Sequence, residues 1–449
     1  MKRPPTILEA AAEMRQGRPS ASELLDQCLA NVERFEPRVR AWVMLDEAGA
    51  RETARRLDEE RKQGRNRGPL HGIPVGIKDI VDVAGWPTKA GSPLREGHRA
   101  ERDATLVARL RAAGAVILGK TVTTQFASFD PPPTRNPWNL ERTPGGSSSG
   151  SAAAVAAGMC LAAIGSQTGG SITRPASYCG VAGCKPTWGR VSSAGLVPFS
   201  FHLDQAGPIA RCVADLAIIV RTIAGYDPAD PVCQNIPLLD DKTAPLDQPP
   251  KIGLLEEYFF ETASESVRQV TRRAVDRLRS AGMETQVVAL PASFADAHRY
   301  QRLVMAVDAA AYHRDNFPSR REQYAPNIAL VLDEGRAATA VEYSAALAHQ
   351  FRFRREMSAA LEGFDALLTP ATNATAQGPE TTGDPRFNVP WSYSGQPTVS
   401  FPCGLADESM PVALQLIGRP FDEAALFAAA AWCEQILEFA GVPQILDED

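Results

Sequence analysis

What this 449-residue chain has little of narrows its biology before any motif is read. Basic residues are not in excess: 47 Lys and Arg stand against 53 Asp and Glu, a formal charge of −6. A nucleic-acid partner is not expected on that balance, because displacing phosphate counterions takes clustered positive charge. Long apolar runs are also missing. The longest, 152–164, is mostly Ala and Gly and falls short of the roughly 20 residues a membrane helix needs. The opening Met1-Lys2-Arg3-Pro4-Pro5 has no apolar segment behind its charge and does not read as a signal peptide. A cytoplasmic protein without membrane contact is expected. The 8 cysteines include no C-x-x-C pair, and the 6 histidines show no H-x-x-x-H spacing, so neither a zinc site nor a disulfide framework is expected. Buried free thiols are expected instead, and no metal or organic cofactor is implied. Lysine is scarce as well, 8 residues against 39 arginines, so a lysine in an apolar setting stands out.

What is present is the composition of a folded protein, 44% hydrophobic and 22% charged. Residues 6–65 read as helical, with Thr6 and Ser20 as N-caps. The Ile/Val-rich stretch 69–83 reads as short buried strands, and 105–113 as a helix closed by Gly114 before a strand at 115–118. Helices at 149–158, 213–224, 264–281, 293–312, 338–362 and 422–438 alternate with strands near 161–165, 251–255, 284–289, 364–369, 397–402 and 410–416. This alternation predicts an α/β protein with a mostly parallel sheet covered on both faces. The Pro- and Asp-rich stretch 226–250 is the expected surface excursion.

The most unusual segment is Thr143-Pro-Gly-Gly-Ser-Ser-Ser-Gly-Ser151. As a linker it would be flexible, but it runs straight into an apolar helix. It also contains Gly146-x-Ser148-x-Gly150, the form of a nucleophile elbow, with His202, His298, His313 and His349 downstream as possible triad bases. An elbow should follow a strand, and Arg142-Thr-Pro-Gly does not read as one. A phosphate loop would need Gly-Lys-Ser/Thr, which is absent here. A second small-residue turn, Gly165-Ser-Gln-Thr-Gly-Gly-Ser171, can present successive N–H groups at one point, an oxyanion hole with Ser171 as nucleophile. The base could be Lys78, set in the apolar Gly72-Ile-Pro-Val-Gly-Ile-Lys78, since burial disfavours its charged form. The plainer alternative is a Lys78 ion pair with Asp79 or Asp82.

Taken together, these blocks resemble the amidase signature family. The match rests on 71–79, 119–127, Asn136-Pro-Trp-Asn139, 143–154, Gln167-Thr-Gly-Gly-Ser171, Cys179-Gly-Val-Ala-Gly-Cys-Lys-Pro-Thr187, Leu203-Asp-Gln-Ala-Gly-Pro208 and 414–421. The resemblance implies one catalytic domain over 1–449: N-terminal helices (1–67), a signature core (68–215), a variable substrate-side region (226–360) and a C-terminal completion of the sheet (364–449). The implied fold is a single large α/β/α sandwich whose central mixed, mostly parallel twisted sheet is covered by helices. It also implies a Ser–cis-Ser–Lys triad of Ser171 (nucleophile), Ser147 (bridge, after a cis Gly146–Ser147 bond) and Lys78 (base). The N–H groups of Thr168, Gly169, Gly170 and Ser171 would form the oxyanion hole. Gly145, Gly146, Phe126, Tyr178, Phe199, Phe201, Trp391 and Tyr393 are candidate substrate-pocket residues because they lie near the matched blocks.

Three positions depart from the commonest family pattern: Gln167 for Asp, Thr173 for Arg, and Gln125 for Glu. They suggest a differently hydrogen-bonded support under the nucleophile loop. The leading expectation is a stand-alone hydrolase of amides, anilides or carbamates (urethanes), with esters as a side activity. Such an enzyme would act on a small molecule, as monomer or homodimer, without nucleic acid or membrane. The second reading is the glutaminase (A) subunit of a tRNA-dependent amidotransferase, which Lys185-Pro-Thr-Trp-Gly-Arg-Val191 and Leu203-Asp-Gln205 resemble. A catalytically silent scaffold is the third, and the intact lysine and serines argue against it.

Overall fold

The computed structural model describes residues 3–237 and 246–447. Its centre is one 11-stranded sheet in the order β1-β3-β2-β4-β6-β5-β10-β11-β9-β7-β8. The strands are β1 (Trp42–Leu45), β2 (Pro74–Lys78), β3 (Val116–Thr121), β4 (Ala162–Gln167), β5 (Ala182–Lys185) and β6 (Gln205–Ala210). They continue with β7 (Lys251–Leu254), β8 (Glu284–Val287), β9 (Ala366–Pro370), β10 (Thr398–Leu405) and β11 (Pro411–Ile417). Helices cover both faces, and two large apolar clusters form the core. No described helix is long and apolar enough to cross a membrane. The free cysteines are buried or nearly so.

The sheet is mixed, as expected, with parallel pairing confined to two patches. One joins β3, β2 and β4; the other joins β9, β7 and β8. Between them β4, β6, β5, β10, β11 and β9 pair antiparallel. The alternation of helices and strands suggested more parallel pairing because β5 and β6 are not legible in it. β6 carries Gly207 and Pro208 inside a central strand, where Pro normally argues against one. β1 is hidden for another reason: its four residues lie between two helices in a stretch that reads as continuously helical. The helix Pro326–Ala337 also has no counterpart in the sequence reading. Of the expected excursion at 226–250, residues 238–245 lie outside the described residues.

The N-caps at Thr6 and Ser20 are present, each as a reciprocal capping box with the Glu three residues on. Beyond these local caps, carboxylates from distant segments close helix starts. Asp215 accepts from the N–H groups of Ile7 and Leu8 at 2.9 and 3.3 Å. Asp58 accepts from Ala21 and Ser22, and Asp130 from Asn327 and Ile328. Each contact satisfies donors that a helix start leaves open and places negative charge at its positive end. Asp215→Ala removes the cap on the Ile7–Arg15 helix and leaves two N–H groups with no acceptor. A loss of about 1–3 kcal/mol is expected in urea unfolding, with faster limited proteolysis ahead of residue 20. Asp215→Asn, which keeps one acceptor, is expected to lose less.

Candidate active site

β2 is buried along its whole length, so its last residue is carried inside the protein. That residue is Lys78, paired with Thr121 of β3 across the parallel ladder and 0% exposed. Its Nζ donates to Ser147 Oγ at 2.7 Å and to Ser166 Oγ at 2.8 Å. Burial pulls its pKa down from the usual lysine value to about 7, with Asp204 opposing. The alternative pairing with Asp79 or Asp82 does not occur. Asp79 is instead the ion-pair partner of Lys120, at 3.0 Å.

Among the described residues three lysines lie wholly inside the fold, and their neighbours separate them. Lys120 meets the Asp79 carboxylate, the Pro87 carbonyl and the Thr88 hydroxyl. Lys185 meets the carbonyls of Pro186 and Gln396 and the side-chain oxygen of Gln205. Burial pulls Lys185 down to about 7 as well, but three acceptors around one nitrogen call for all three ammonium protons. Lys78 meets only hydroxyls, and a hydroxyl can donate as readily as accept. Among these three it is the lysine whose surroundings fit a neutral amine.

The Gly/Ser-rich segment is neither a linker nor a nucleophile elbow. Every residue from Thr143 to Cys179 is buried. The elbow candidate, Ser148, has its hydroxyl tied to the Ser166 backbone, accepting from the N–H at 3.2 Å and donating to the carbonyl at 3.3 Å. The four downstream histidines are engaged elsewhere: His202 with Asp308, His298 with the Arg386 carbonyl, His313 with Tyr324, and His349 with Tyr393 and the Ser293 carbonyl. The Gly146–Ser147 peptide is cis, as the family resemblance implies. Gly145 has φ 79°, and a Cβ there would lie 2.9 Å from Pro175 Cα.

Ser171 follows β4 by a short turn and precedes the helix Thr173–Tyr178; it is 9% exposed. Gln167 organises this turn. Its Oε1 accepts from the Ile172 and Thr173 N–H groups at 2.9 and 3.0 Å and from the Thr173 hydroxyl at 3.2 Å. Its Nε2 donates to Ser392 Oγ at 3.2 Å. Gln167 and Thr173 thus support the loop as a neutral hydrogen-bonded pair at two of the three positions that depart from the family pattern. The third, Gln125, also uses both ends of its amide, donating to Ser92 and the Gln323 carbonyl and accepting from the Ala325 N–H. A glutamate could not donate to that carbonyl. The N–H groups of Gly169, Gly170 and Ser171 meet no protein acceptor among the described residues. A Cβ on Gly170 would lie 2.6 Å from Asn388 Oδ1.

The aromatic candidates scatter. Tyr178 packs beside Gly145 and Gly383, its hydroxyl buried and without a hydrogen-bond partner. Phe126 lies edge-on to His313, centroids 4.4 Å apart. Trp391 stacks on Phe259 at 5.4 Å, and Tyr393 donates to the Ala346 carbonyl, so both belong to an aromatic core cluster. Phe199 is buried in the main core, whereas Phe201 is 60% exposed. Ser166, Arg174, Asp204, Gln301 and Ser392 also stand at the site, outside the expected set. Arg174 donates to the Gly146 and Gly383 carbonyls at 2.7 and 2.8 Å. Asp204 accepts from the Thr168 hydroxyl and the Phe199 and Ser200 N–H groups. Ser166, Arg174 and Asp204 stood within or beside recognised blocks, but Gln301 and Ser392 had no sequence signal. No group of three or more His, Cys, Asp or Glu among the described residues could hold a metal.

The family described as Amidase matches residues 23–427. The glutamyl-tRNA(Gln) amidotransferase (A) subunit of Roseiflexus castenholzii is 38% identical over 484 residues, covering 99% of this chain and 98% of that protein. A chain from the vestigial protein complex that reveals the evolutionary origins of an s-triazine catabolic enzyme superposes with TM-score 0.90 at 30% identity, covering 98% and 100%. The peptide amidase of Stenotrophomonas maltophilia superposes with TM-score 0.86 at 31% identity, covering 98% of each chain.

The different surroundings of the buried lysines predict different costs of removal. Lys185→Met strands three acceptors and is expected to cost about 3–5 kcal/mol in chemical unfolding. Lys78→Met leaves two hydroxyls that can turn to other partners, and its cost is expected to stay within about 1.5 kcal/mol. Equal losses from the two variants would show that Lys78 is held as a full ammonium.

Proposed function

This chain belongs to the amidase family and is an enzyme acting on C–N bonds; we propose that it is the amide-hydrolysing subunit of an amidotransferase, working through an acyl-enzyme on Ser171. The observation that carries the chemistry is the burial of Lys78 between two hydroxyls with no carboxylate on its nitrogen. The assignment to an assembly rests on the curated relatives, matched over nearly the full length of both chains and bearing the name of an amidotransferase subunit. They overturn the expectation of a stand-alone hydrolase of amides, anilides or carbamates, and with it that of a small-molecule enzyme needing neither partner chain nor nucleic acid. The net charge of −6 describes this chain's own surface. An acidic chain can serve a tRNA-dependent assembly if its partners bind the phosphates.

In this reading the substrate is the side-chain carboxamide of glutamine. Ser171 Oγ attacks the amide carbon while its proton moves to Ser147 Oγ and the Ser147 proton moves to neutral Lys78. Negative charge builds on the carbonyl oxygen and is met by the N–H groups at 168–171. The relay then runs backwards, giving a proton to the leaving nitrogen. The C–N bond breaks, ammonia departs for the acceptor, and a glutamyl ester stays on Ser171. Water, deprotonated by the same relay, attacks the ester and releases glutamate. Tyr178, which packs against Gly145 of the Gly/Ser-rich segment, and Phe126, within the matched block 119–127, are proposed as pocket residues. Phe201 and the core aromatics Phe199, Trp391 and Tyr393 fit that role less well.

Ammonia release from glutamine, measured with the chain alone and with co-expressed partner chains and tRNA, tests the reading. Hydrolysis that depends on the partners and is lost in Ser171→Ala by at least ~1,000-fold is expected. Cleavage of anilides or carbamates with none of glutamine in the full assembly would refute it. The pH dependence has a definite sign. Lys78 works only when unprotonated and its pKa lies near 7, so kcat/KM is expected to fall about tenfold per pH unit below that value and to level off above it. A rate unchanged down to pH 5 would exclude Lys78 as the base.

A further inference from the structure

In a planar trans peptide the carbonyl and the N–H of the next residue point in opposite directions, so holding the carbonyl aims the N–H. The peptides between Thr168 and Ser171 are trans, the only non-proline cis bond of the described chain being Gly146–Ser147. Each of their three carbonyls is held. Gln301 Nε2 donates to the Thr168 carbonyl at 3.2 Å. Ser392 Oγ donates to the Gly169 carbonyl at 2.7 Å. The Arg174 N–H donates to the Gly170 carbonyl at 3.1 Å. The N–H groups aimed by these contacts are those of Gly169, Gly170 and Ser171, each without a protein acceptor among the described residues.

We propose that Gln301 and Ser392 are positioning residues of the oxyanion hole, each aiming one N–H donor by holding the carbonyl of the same peptide. This rests on the reading of Ser171 as nucleophile. Both residues are buried, and both come from outside the signature core: Gln301 from the helix Phe294–Tyr312, Ser392 from the helix Val389–Ser394. The direction of the Ser392 hydroxyl is itself fixed. Gln167 Nε2 donates to its oxygen, which leaves the Ser392 proton for the Gly169 carbonyl. Thr168 is held from its other side too, through its hydroxyl on Asp204. A peptide gripped in this way does not have to reorient as charge develops, the condition under which such donors are most effective.

The test uses a fluorophosphonate probe on the purified full-length chain, because phosphonylation of the nucleophile draws on the same donors and needs no glutamine. Ser392→Ala and Gln301→Met are expected to slow labelling ~10- to 100-fold, less than deleting a donor outright. Ser392→Thr, which keeps the hydroxyl, is expected to stay within about threefold of the parent. With glutamine as substrate and the partner chains and tRNA present, the loss should fall on kcat, with KM moving by less than about threefold. Thermal unfolding identifies any variant that has lost its fold; should Gln301→Met be one, Ser392→Ala against Ser392→Thr decides. Labelling of folded Ser392→Ala and Gln301→Met within about twofold of the parent would overturn the proposal, as would equal slowing by Ser392→Ala and Ser392→Thr. Ser171→Ala is the control: persistent labelling at the site in that variant would instead sink the nucleophile assignment.

Discussion

An amine can be buried in a protein only on terms set by its neighbours, and those around Lys78 decide what this site can do. A carboxylate there would fix the proton on nitrogen, as Asp79 does for Lys120. Three carbonyl-type oxygens would do the same, as they do for Lys185. Two hydroxyls leave both protonation states satisfied, and desolvation then tips the balance toward the neutral form. A central strand buried on both faces, ending at the lysine, with Ser147 and Ser166 brought to its tip, is the arrangement that creates this environment.

Holding such a site still requires a frame that does not yield locally. Much of that frame consists of carboxylates reaching across the chain to helix starts: Asp215 to the first helix, Asp58 to the second and Asp130 to the helix at Pro326, with Asp204 closing the nearby turn at Phe199. Most of these exchange open backbone donors for a bond between segments far apart in sequence. At the Ser171 loop a neutral amide does the equivalent work. Gln167 accepts three hydrogen bonds and donates one, so that loop is supported without a buried ion pair, whose desolvation is costly.

Acyl transfer through a serine and a lysine is common ground for both enzymatic readings, so the site chemistry alone does not choose between a free amide and glutamine in an assembly. Composition did not choose either. A net charge of −6 describes one chain, and an assembly can divide catalysis and phosphate binding among its chains.

The sequence by itself determined the elements with strong local signals: the capped helices at Thr6 and Ser20, the buried run ending at Lys78, and the glycine turn before Ser171. Residue type and spacing dictate these, because capping, burial of β-branched runs and tight turns act over a few residues. It also marked Lys78, Ser147 and Ser171 as belonging together, through the family resemblance. Tertiary structure alone decided the rest. β6 is a strand in spite of Pro208 because its neighbours β4 and β5 supply the pairing. Trp391 and Tyr393, candidate pocket residues by their place in the sequence, pack into an aromatic core. Gln301 and Ser392 reach the Ser171 loop across 133 and 223 residues of chain. Such contacts carry no local signature, because a side chain that holds a distant carbonyl needs only a donor at the right point in space, and the packing of the whole chain sets that point.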